Sequence, residues 1–244
     1  MSFGVVVIAH NEEEFIEAQI RQWGGTPVLV LVSKKSWNND IPQYDATADL
    51  ARDMGAEVTE GYWKTEHDQR NYGLARFVTF DRVFIADADE FYTKDDIEKM
   101  KRFIEDYRGE FQGAFVSRVR TYWKTLDYVF DPPDKHKPIV CVDPTMVQFY
   151  EHRQARPIFV DEPFLQTLPI LPVEMHHLSW VRSDRKAQEK ILAFSHAKDI
   201  HPDWIRDVWN AWTPNSNMNI RPYGTPSFAV FEKRTEDLGY NIGI

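Results

Sequence analysis

The stretch Arg82-Val83-Phe84-Ile85-Ala86-Asp87-Ala88-Asp89-Glu90 changes abruptly from apolar residues to three carboxylates. Its segment Val83–Ala86 is continuously apolar, as is typical of a parallel strand that is buried on both faces. In open α/β sheets, ligands bind beyond the carboxyl ends of the strands, which is where these acids would lie. Because clustered carboxylate oxygens favour a hard divalent cation, the stretch predicts a metal site that holds a phosphorylated substrate.

Local structure is a second explanation for these acids, since aspartates also form turns and cap helices. A helix is predicted directly downstream, and Thr93 and Asp96 already supply its N-terminal cap. Asp87 and Asp89 therefore remain candidate ligands.

Strand and helix patterns alternate along the first half of the chain. The predicted strands are Val5–Ala9, Val28–Val32, Glu57–Thr59, Val83–Ala86 and Ala114–Trp123. The predicted helices are Asn11–Trp23, Asp45–Met54, Thr65–Phe77 and Asp95–Tyr107. The Thr65 hydroxyl is expected to cap the third helix by accepting from the Asp68 amide. This alternation predicts an α/β fold with a doubly wound, mostly parallel sheet that is flanked by helices.

The second half is less regular and predicts an irregular α+β arrangement. Short strands are predicted at Ile139–Val142 and Met146–Tyr150, and helices at Ser183–Phe194 and Pro202–Trp212. The last helix carries aromatic residues at helical spacing, which are expected in the core rather than in a sugar-binding platform. No clear domain boundary is visible.

Composition excludes several classes of partner. A net charge of −9 and a pI near 5.4 argue against a broad nucleic-acid or anionic-membrane surface. Cys141 is the only cysteine, so neither an intramolecular disulfide nor a cysteine-rich metal site is expected. No apolar stretch approaches the roughly 18 residues of a transmembrane helix, and no leader peptide is evident. The sequence predicts a cytoplasmic protein without a transmembrane segment.

Three segments together resemble the opening blocks of GT-A fold glycosyltransferases, close to family 2. They are Val5–Glu12, Arg70–Ala75 and Ile85–Glu90, and their order and spacing also match. The resemblance covers residues 1–125 and implies a GT-A type fold. It implies a nucleotide-sugar-binding half at 1–125 and an acceptor-side half of the same domain at 126–244.

In that family the last block is the Asp-x-Asp motif. By resemblance, Asp87 contacts the ribose or the metal, and Asp89 binds a manganese or magnesium ion that bridges the donor diphosphate. Such an ion stabilises the negative charge that develops on the departing diphosphate. The resemblance also implies a set of substrate-binding residues, namely Ala9, His10, Asn11, Glu12, Arg70, Asn71, Asp87 and Ala88.

Some of these residues also have structural explanations. Asn11 could cap the first helix, and Arg70 could form a surface ion pair. Gly73 lies inside the same predicted helix as Arg70, where a glycine costs about 1 kcal/mol relative to alanine. Its presence there predicts close packing of this helix.

The second half contains two adjacent histidines, His176 and His177. Adjacent side chains of an extended segment point to opposite faces, so the two cannot readily bind one ion together. His177-Leu178-Ser179-Trp180 resembles the late His-x-Ser-aromatic segment of some relatives, which implies His177 as a third metal ligand. Imidazole beside carboxylates suits manganese better than magnesium. The alternative for His177 is a buried, hydrogen-bonded histidine without a ligand role. His196 is a third candidate ligand, ranked below His177 and His176.

The acceptor side departs from the family pattern, because neither the Glu-Asp motif nor the Gln-x-x-Arg-Trp segment of many inverting members is present. Asp161 and Glu162 form the nearest acidic pair and are the candidate catalytic bases. A surface turn is the alternative for this pair.

These observations predict a metal-dependent glycosyltransferase that uses a nucleotide-sugar donor, with UDP-sugars favoured, and a glycan or other hydroxyl-bearing acceptor. A nucleotidyltransferase is a rival, but it would need a glycine-rich loop after the first strand, and Ala9–Glu12 contains no glycine. A non-catalytic carbohydrate-binding or scaffold protein of the same fold is the second rival.

Overall fold

The computed structural model describes residues 1–38, 41–109, 113–158, 167–193, 197–222 and 224–232. The strands are β1 (Phe3–Ala9), β2 (Val28–Ser33), β3 (Glu57–Gly61), β4 (Arg82–Asp87), β5 (Glu90–Phe91), β6 (Ala114–Trp123), β7 (Thr125–Asp131), β8 (Ile139–Val142), β9 (Val147–Glu151), β10 (Gln154–Pro157), β11 (Ile170–Trp180) and β12 (Phe228–Phe231). The α-helices are α1 (Ile16–Arg21), α2 (Thr47–Asp53), α3 (Glu66–Arg76), α4 (Lys94–Asp106) and α5 (Asp184–Ala193).

Ten of the described strands form one sheet with a parallel centre. Its main path runs β12-β7-β6-β8-β4-β1-β2-β3, and β1 pairs in parallel with both β2 and β4. The strand β8 inserts antiparallel between β4 and β6, and β11 pairs in parallel with β6. The predicted α/β class with a mostly parallel sheet between helices is confirmed for this central region.

The core lies on both faces of the sheet, because successive side chains of a strand point to opposite sides. Val5 and Val7 of β1 pack in one apolar cluster with residues of α1, α2 and α4. Val6 and Ile8 pack in a second cluster with Leu74 of α3. Burial on both faces explains why β1 and β4 are continuously apolar.

The predicted caps of two helices are confirmed, whereas a third is wrong. The Thr65 hydroxyl accepts from the Asp68 amide at 3.1 Å, and Thr93 does the same for Asp96 at 3.1 Å. Helix α1 begins only at Ile16, so the prediction of Asn11 as its N-cap is wrong. The physical reason is that a distant loop, rather than the local side chain, satisfies the backbone that leads into this helix.

The aromatic residues of the C-terminal region form a buried cluster with Trp123 and Trp180. The predicted helix at Pro202–Trp212 is reduced to a π-helical turn at Ile205–Trp209, but Trp204 and Trp209 are buried as expected. This cluster packs β6 and the end of β11 against the C-terminal region. Within the described residues, no helix combines the length and the apolar character that crossing a membrane requires.

Candidate functional site

A cavity of about 670 Å³ opens at the carboxyl ends of β1 and β4. Residues from both halves of the chain line it. Of the residues that the sequence suggested for donor or metal binding, those that line the cavity are Ala9, His10, Asn11, Glu12, Arg70, Asp87, Ala88, Asp89 and His177. The cavity therefore brings together the end of β1, the Asp-x-Asp segment and the late histidine.

Asp89 is buried at the base of this cavity, where two cations contact the same carboxylate oxygen. Nη2 of Arg182 lies 2.7 Å from Oδ2 of Asp89, and Nζ of Lys190 lies 2.8 Å from it. Burial alone would raise the pKa of the Asp89 carboxyl, but the charges of Lys190 and Arg182 outweigh burial and hold the pKa well below its usual range. Asp89 is therefore ionised at neutral pH.

Arg182 also joins the Asp-x-Asp segment to the end of β1. Its guanidinium donates to both carboxylate oxygens of Glu12, at 2.8 and 3.1 Å, and its Nε donates to the Ser179 carbonyl at 2.8 Å. Burial raises the pKa of Glu12, although the charge of Arg182 opposes this shift. Bidentate pairs of this kind fix the orientation of both side chains.

Asp87 is half-buried and is held from helix α3. Nη2 of Arg70 lies 2.7 Å from Oδ1 of Asp87, and Nη1 of Arg70 lies 3.1 Å from Glu66. The Arg70 side chain is completely buried, so the surface ion pair considered for it is wrong. Arg70 orients Asp87 at the edge of the cavity.

Glu90, the third acid of the segment, forms a buried ion pair with Arg153 of the β9–β10 turn. Burial raises the pKa of Glu90, although the charge of Arg153 opposes the shift. The Glu90 carboxylate also accepts from the Asp87 amide at 2.9 Å, and Arg153 donates to the Ile85 carbonyl at 2.6 Å. Glu90 therefore shapes the β4–β5 turn that presents Asp87 and Asp89.

The two adjacent histidines lie on opposite sides of β11. Nε2 of His177 faces the cavity, 3.7 Å from Oδ1 of Asp89, whereas Nδ1 of His176 lies 2.8 Å from the Tyr122 hydroxyl on the other side. Burial lowers the pKa of His177, so its imidazole is neutral at neutral pH. His177 thus places a ring nitrogen next to an ionised carboxylate.

At the end of β1, polar groups are tied to the segment 42–47. The Asn11 side chain donates to the Pro42 carbonyl at 3.1 Å and accepts from the Tyr44 amide at 2.9 Å. Asn11 adopts a φ of 56°, which asparagine tolerates better than most residues. The amide of Glu12 donates to Oγ1 of Thr47 at 2.8 Å. These contacts satisfy the backbone in place of the predicted local helix cap.

Asn71 differs from the other candidate residues, because it is not among the described residues that line the cavity. Its side-chain amide donates to the Phe149 carbonyl and its oxygen accepts from the Phe149 amide, both at 2.8 Å. This pairing fastens α3 to β9. Direct contact between Asn71 and a ligand in the cavity is not supported by this geometry.

Gly73 lies where α3 crosses β1, and a Cβ atom at this position would lie 2.5 Å from Cγ1 of Val6. The predicted close packing is therefore confirmed. The glycine lets the helix that carries Arg70 approach the sheet closely.

The candidate bases Asp161 and Glu162 lie outside the described residues, as does His196. Among the described residues, Asp134 is a carboxylate from the second half that lines the cavity. Thr121 and Arg221 donate to its two oxygens at 2.7 and 2.5 Å. Although burial opposes the shift, these bonds lower the pKa of Asp134, which makes it a weak base.

Five cations that line the cavity were not expected from the sequence, namely Arg153, Arg182, Lys186, Lys190 and Arg221. Lys186 is buried and lies 2.6 Å from Asp45, and it also donates to the Asn11 carbonyl at 3.0 Å. A signal for two of these cations was present, because residues four apart on a helix share one face. Lys186 and Lys190 have this spacing on α5.

Asp89 and His177 are two side chains of this cavity that could hold a divalent cation together. Two ligands of an octahedral ion are about 3.0 Å apart when adjacent and about 4.2 Å apart when opposite, for ligand distances near 2.1 Å. Oδ1 of Asp89 and Nε2 of His177 are 3.7 Å apart, so they would need to approach by about 0.7 Å to be adjacent ligands of one ion. An ionised carboxylate and a neutral imidazole are suitable donors for manganese.

Comparisons with known proteins give limited information about this chain. No protein-family model matches it, and no curated protein matches its sequence. Among solved structures, it is similar to mannose-1-phosphate geranyltransferase from Thermus thermophilus, with 12% sequence identity and a TM-score of 0.33. The alignment covers 57% of this chain and 50% of that structure, so the chain spans about half of the length of that protein. Similarity at this level assigns neither a family nor a function.

Proposed function

We propose that the protein is a GT-A type glycosyltransferase that moves a sugar from a nucleotide-sugar donor to a hydroxyl-bearing acceptor such as a glycan. A UDP-sugar is the favoured donor. One observation carries the proposal. Asp87 and Asp89, at the carboxyl end of β4, share a cavity with His177, Arg182 and Lys190 from the second half. Carboxylates, an imidazole and two cations around one space suit a metal-bound diphosphate.

In this proposal each residue has a defined task. Asp89 and His177 hold a manganese or magnesium ion, and Asp87 contacts the ribose or the same ion. Arg70 keeps Asp87 in position through their 2.7 Å ion pair. When bound, the ion supplies positive charge that stabilises the departing diphosphate. Arg182 maintains the geometry of Asp89 and Glu12 at the centre of the site.

In this proposal the residues at the end of β1 bind the nucleotide of the donor. Ala9 and His10 line the cavity beside Trp37, where they form a surface for the nucleobase and ribose. Nδ1 of His10 lies 3.0 Å from the Ser33 carbonyl, and burial lowers the pKa of His10, so a neutral ring faces the nucleotide. The catalytic base remains a prediction at Asp161 or Glu162.

A panel of nucleotide sugars tests the proposal. Thermal stabilisation of the purified protein is measured with each donor in the presence of Mn²⁺, Mg²⁺ or EDTA, and turnover is followed by release of the nucleoside diphosphate. We expect stabilisation that requires the divalent ion. The Asp89→Asn protein should lose it, while an Asp53→Asn protein, altered at an exposed position on α2, should retain it.

Three results would contradict the proposal. If nucleotide sugars bind equally well with Mn²⁺ and with EDTA, the metal has no role in donor binding. Release of pyrophosphate from a nucleoside triphosphate and a sugar phosphate would favour a nucleotidyltransferase. Glycan binding without any nucleotide-sugar turnover would favour a carbohydrate-binding protein.

A further inference from the structure

Lys190 and Arg182 contact the same oxygen of Asp89, but they are anchored differently. Arg182 is almost completely buried and donates to Glu12, to the Ser179 carbonyl and to Asp89 at once. Lys190 reaches Asp89 from α5 through a flexible four-carbon side chain and is partly exposed in the cavity. Lys190 can therefore move away from Asp89 without disturbing the Arg182 pairs.

Formal charges around Asp89 are balanced. Asp89 and Glu12 contribute two negative charges, and Arg182 and Lys190 contribute two positive charges, with all four groups largely buried. A divalent cation added alone would leave this buried group with excess positive charge, which is costly in a low-dielectric environment. A diphosphate that arrives with the cation supplies the compensating negative charge.

We propose that Lys190 is an exchangeable counter-ion, which pairs with Asp89 in the free protein and moves to the diphosphate when metal and donor bind. This inference rests on the proposed function and extends it to the order of binding. While Lys190 occupies Oδ2 of Asp89, the free protein binds divalent cations weakly. When a diphosphate attracts Lys190, the Asp89 carboxylate becomes a better metal ligand.

Exchange of this kind couples the two ligands. A diphosphate raises the affinity for the metal, and the metal raises the affinity for the diphosphate by the same factor. The protein would therefore discriminate against free metal ions and bind the metal together with its donor. Arg182 remains with Asp89 and Glu12 throughout and preserves the shape of the site.

The test uses Mn²⁺ and inorganic pyrophosphate as probes, with titration calorimetry and the electron paramagnetic resonance signal of free Mn²⁺ as readouts. Lys190→Met removes the charge and keeps a side chain of similar length, while Asp89 retains Arg182, so the variant should fold. Lys190→Arg retains the charge. Lys198→Met, at an exposed position that does not line the cavity in the described structure, is the matched control.

We expect Lys190→Met to bind Mn²⁺ alone about tenfold more tightly than the wild type, because a like charge has been removed from the carboxylate that would ligate the metal. Its affinity for pyrophosphate in the presence of Mn²⁺ should fall, and the coupling between the two probes should shrink. Lys190→Arg and Lys198→Met should behave like the wild type.

Two other results would overturn the inference and are distinguishable from each other. If UDP and Mn²⁺ bind the wild type together but Lys190→Met leaves the affinity for Mn²⁺ alone unchanged or reduced, Lys190 does not compete with the metal, and the proposed function stands. If the wild type binds no Mn²⁺ with or without pyrophosphate or UDP, the metal-dependent function and the inference both fail.

Discussion

Nη2 of Arg70 lies 2.7 Å from Oδ1 of Asp87, and no part of the Arg70 side chain reaches solvent. Arg70 also contacts Glu66 at 3.1 Å and donates to the His152 carbonyl at 3.2 Å. A buried cation with these partners connects α3, the Asp-x-Asp segment and the β9–β10 turn. It is therefore a structural requirement for the position of Asp87.

Arg70→Met should destabilise the protein by about 3 to 5 kcal/mol, because it leaves the partners of a buried ion pair without their cation. Chemical denaturation gives the free energy of unfolding. Arg76→Met on the same helix is the control, since Arg76 pairs with Glu57 at the surface and such pairs contribute little. Equal effects of the two substitutions would contradict the role assigned to Arg70.

Gly73→Ala should destabilise the fold although alanine favours helices. The added methyl would lie 2.5 Å from Cγ1 of Val6, and overpacking of this kind costs about 1 to 3 kcal/mol. Val6→Ala in the Gly73→Ala background should recover part of the loss, as measured in a double-mutant cycle of unfolding free energies. Additive effects of the two substitutions would show that the methyl group does not meet Val6.

Asn71→Ala should reduce stability without a specific loss of nucleotide binding. The substitution removes two hydrogen bonds to the Phe149 backbone, which together are worth about 2 kcal/mol. Denaturation and UDP titration of the folded variant check the two parts of this prediction. A large loss of UDP affinity in a fully folded Asn71→Ala protein would restore the donor-binding role that the family resemblance implies.

His152 should titrate above the usual histidine range because of Glu66. The Glu66 carboxylate, 3.6 Å from Nδ1 of His152, raises the pKa of His152. A raised pKa in the folded state stabilises the protein below pH 6.5, and this contribution is lost as the pH rises through the folded-state pKa. NMR titration should show the pKa of His152 falling in Glu66→Gln.

Glu151 provides the comparison for this experiment, because it raises the pKa of His152 through charge alone and by less than Glu66 does. Glu151→Gln should therefore lower the pKa of His152 less than Glu66→Gln does. The reverse order would show that the Glu66–His152 contact does not govern this titration.

His177→Ala should weaken Mn²⁺ binding in the presence of UDP, whereas His176→Ala should mainly reduce stability. The first imidazole faces Asp89, and the second is buried against the Tyr122 hydroxyl. Calorimetric titration of each folded variant with Mn²⁺ compares the two. Loss of metal binding in His176→Ala alone would show that the metal ligand is His176, on the Tyr122 side of β11.

The local features of the fold were predictable from the sequence. The apolar runs of β1 and β4 and the caps at Thr65 and Thr93 each follow from a few neighbouring residues, and the structure confirms them. The glycine in α3 also signalled close packing correctly. These signals are local, so no knowledge of distant contacts is needed to interpret them.

The remaining features depend on contacts between distant residues. Asn11 does not cap α1, because its side chain is bonded to Pro42 and Tyr44 about thirty residues away. The four-residue spacing of Lys186 and Lys190 indicates a shared helix face, but no pattern identifies Asp45 and Asp89 as their partners. The antiparallel direction of β8 could not be predicted from the sequence either, because a short buried strand has the same residue pattern in both directions.

The pairing of Arg182 with Glu12 spans 170 residues and has a consequence for synthesis of the protein. Glu12 and Asp89 leave the ribosome well before Arg182 and Lys190, so the nascent chain lacks the cations that accompany their burial. Because unpaired carboxylates are costly to bury, we expect them to stay hydrated until α5 emerges. A ribosome-bound chain that stops before Arg182 should therefore form the parallel strands yet leave this corner of the molecule open and accessible to proteases.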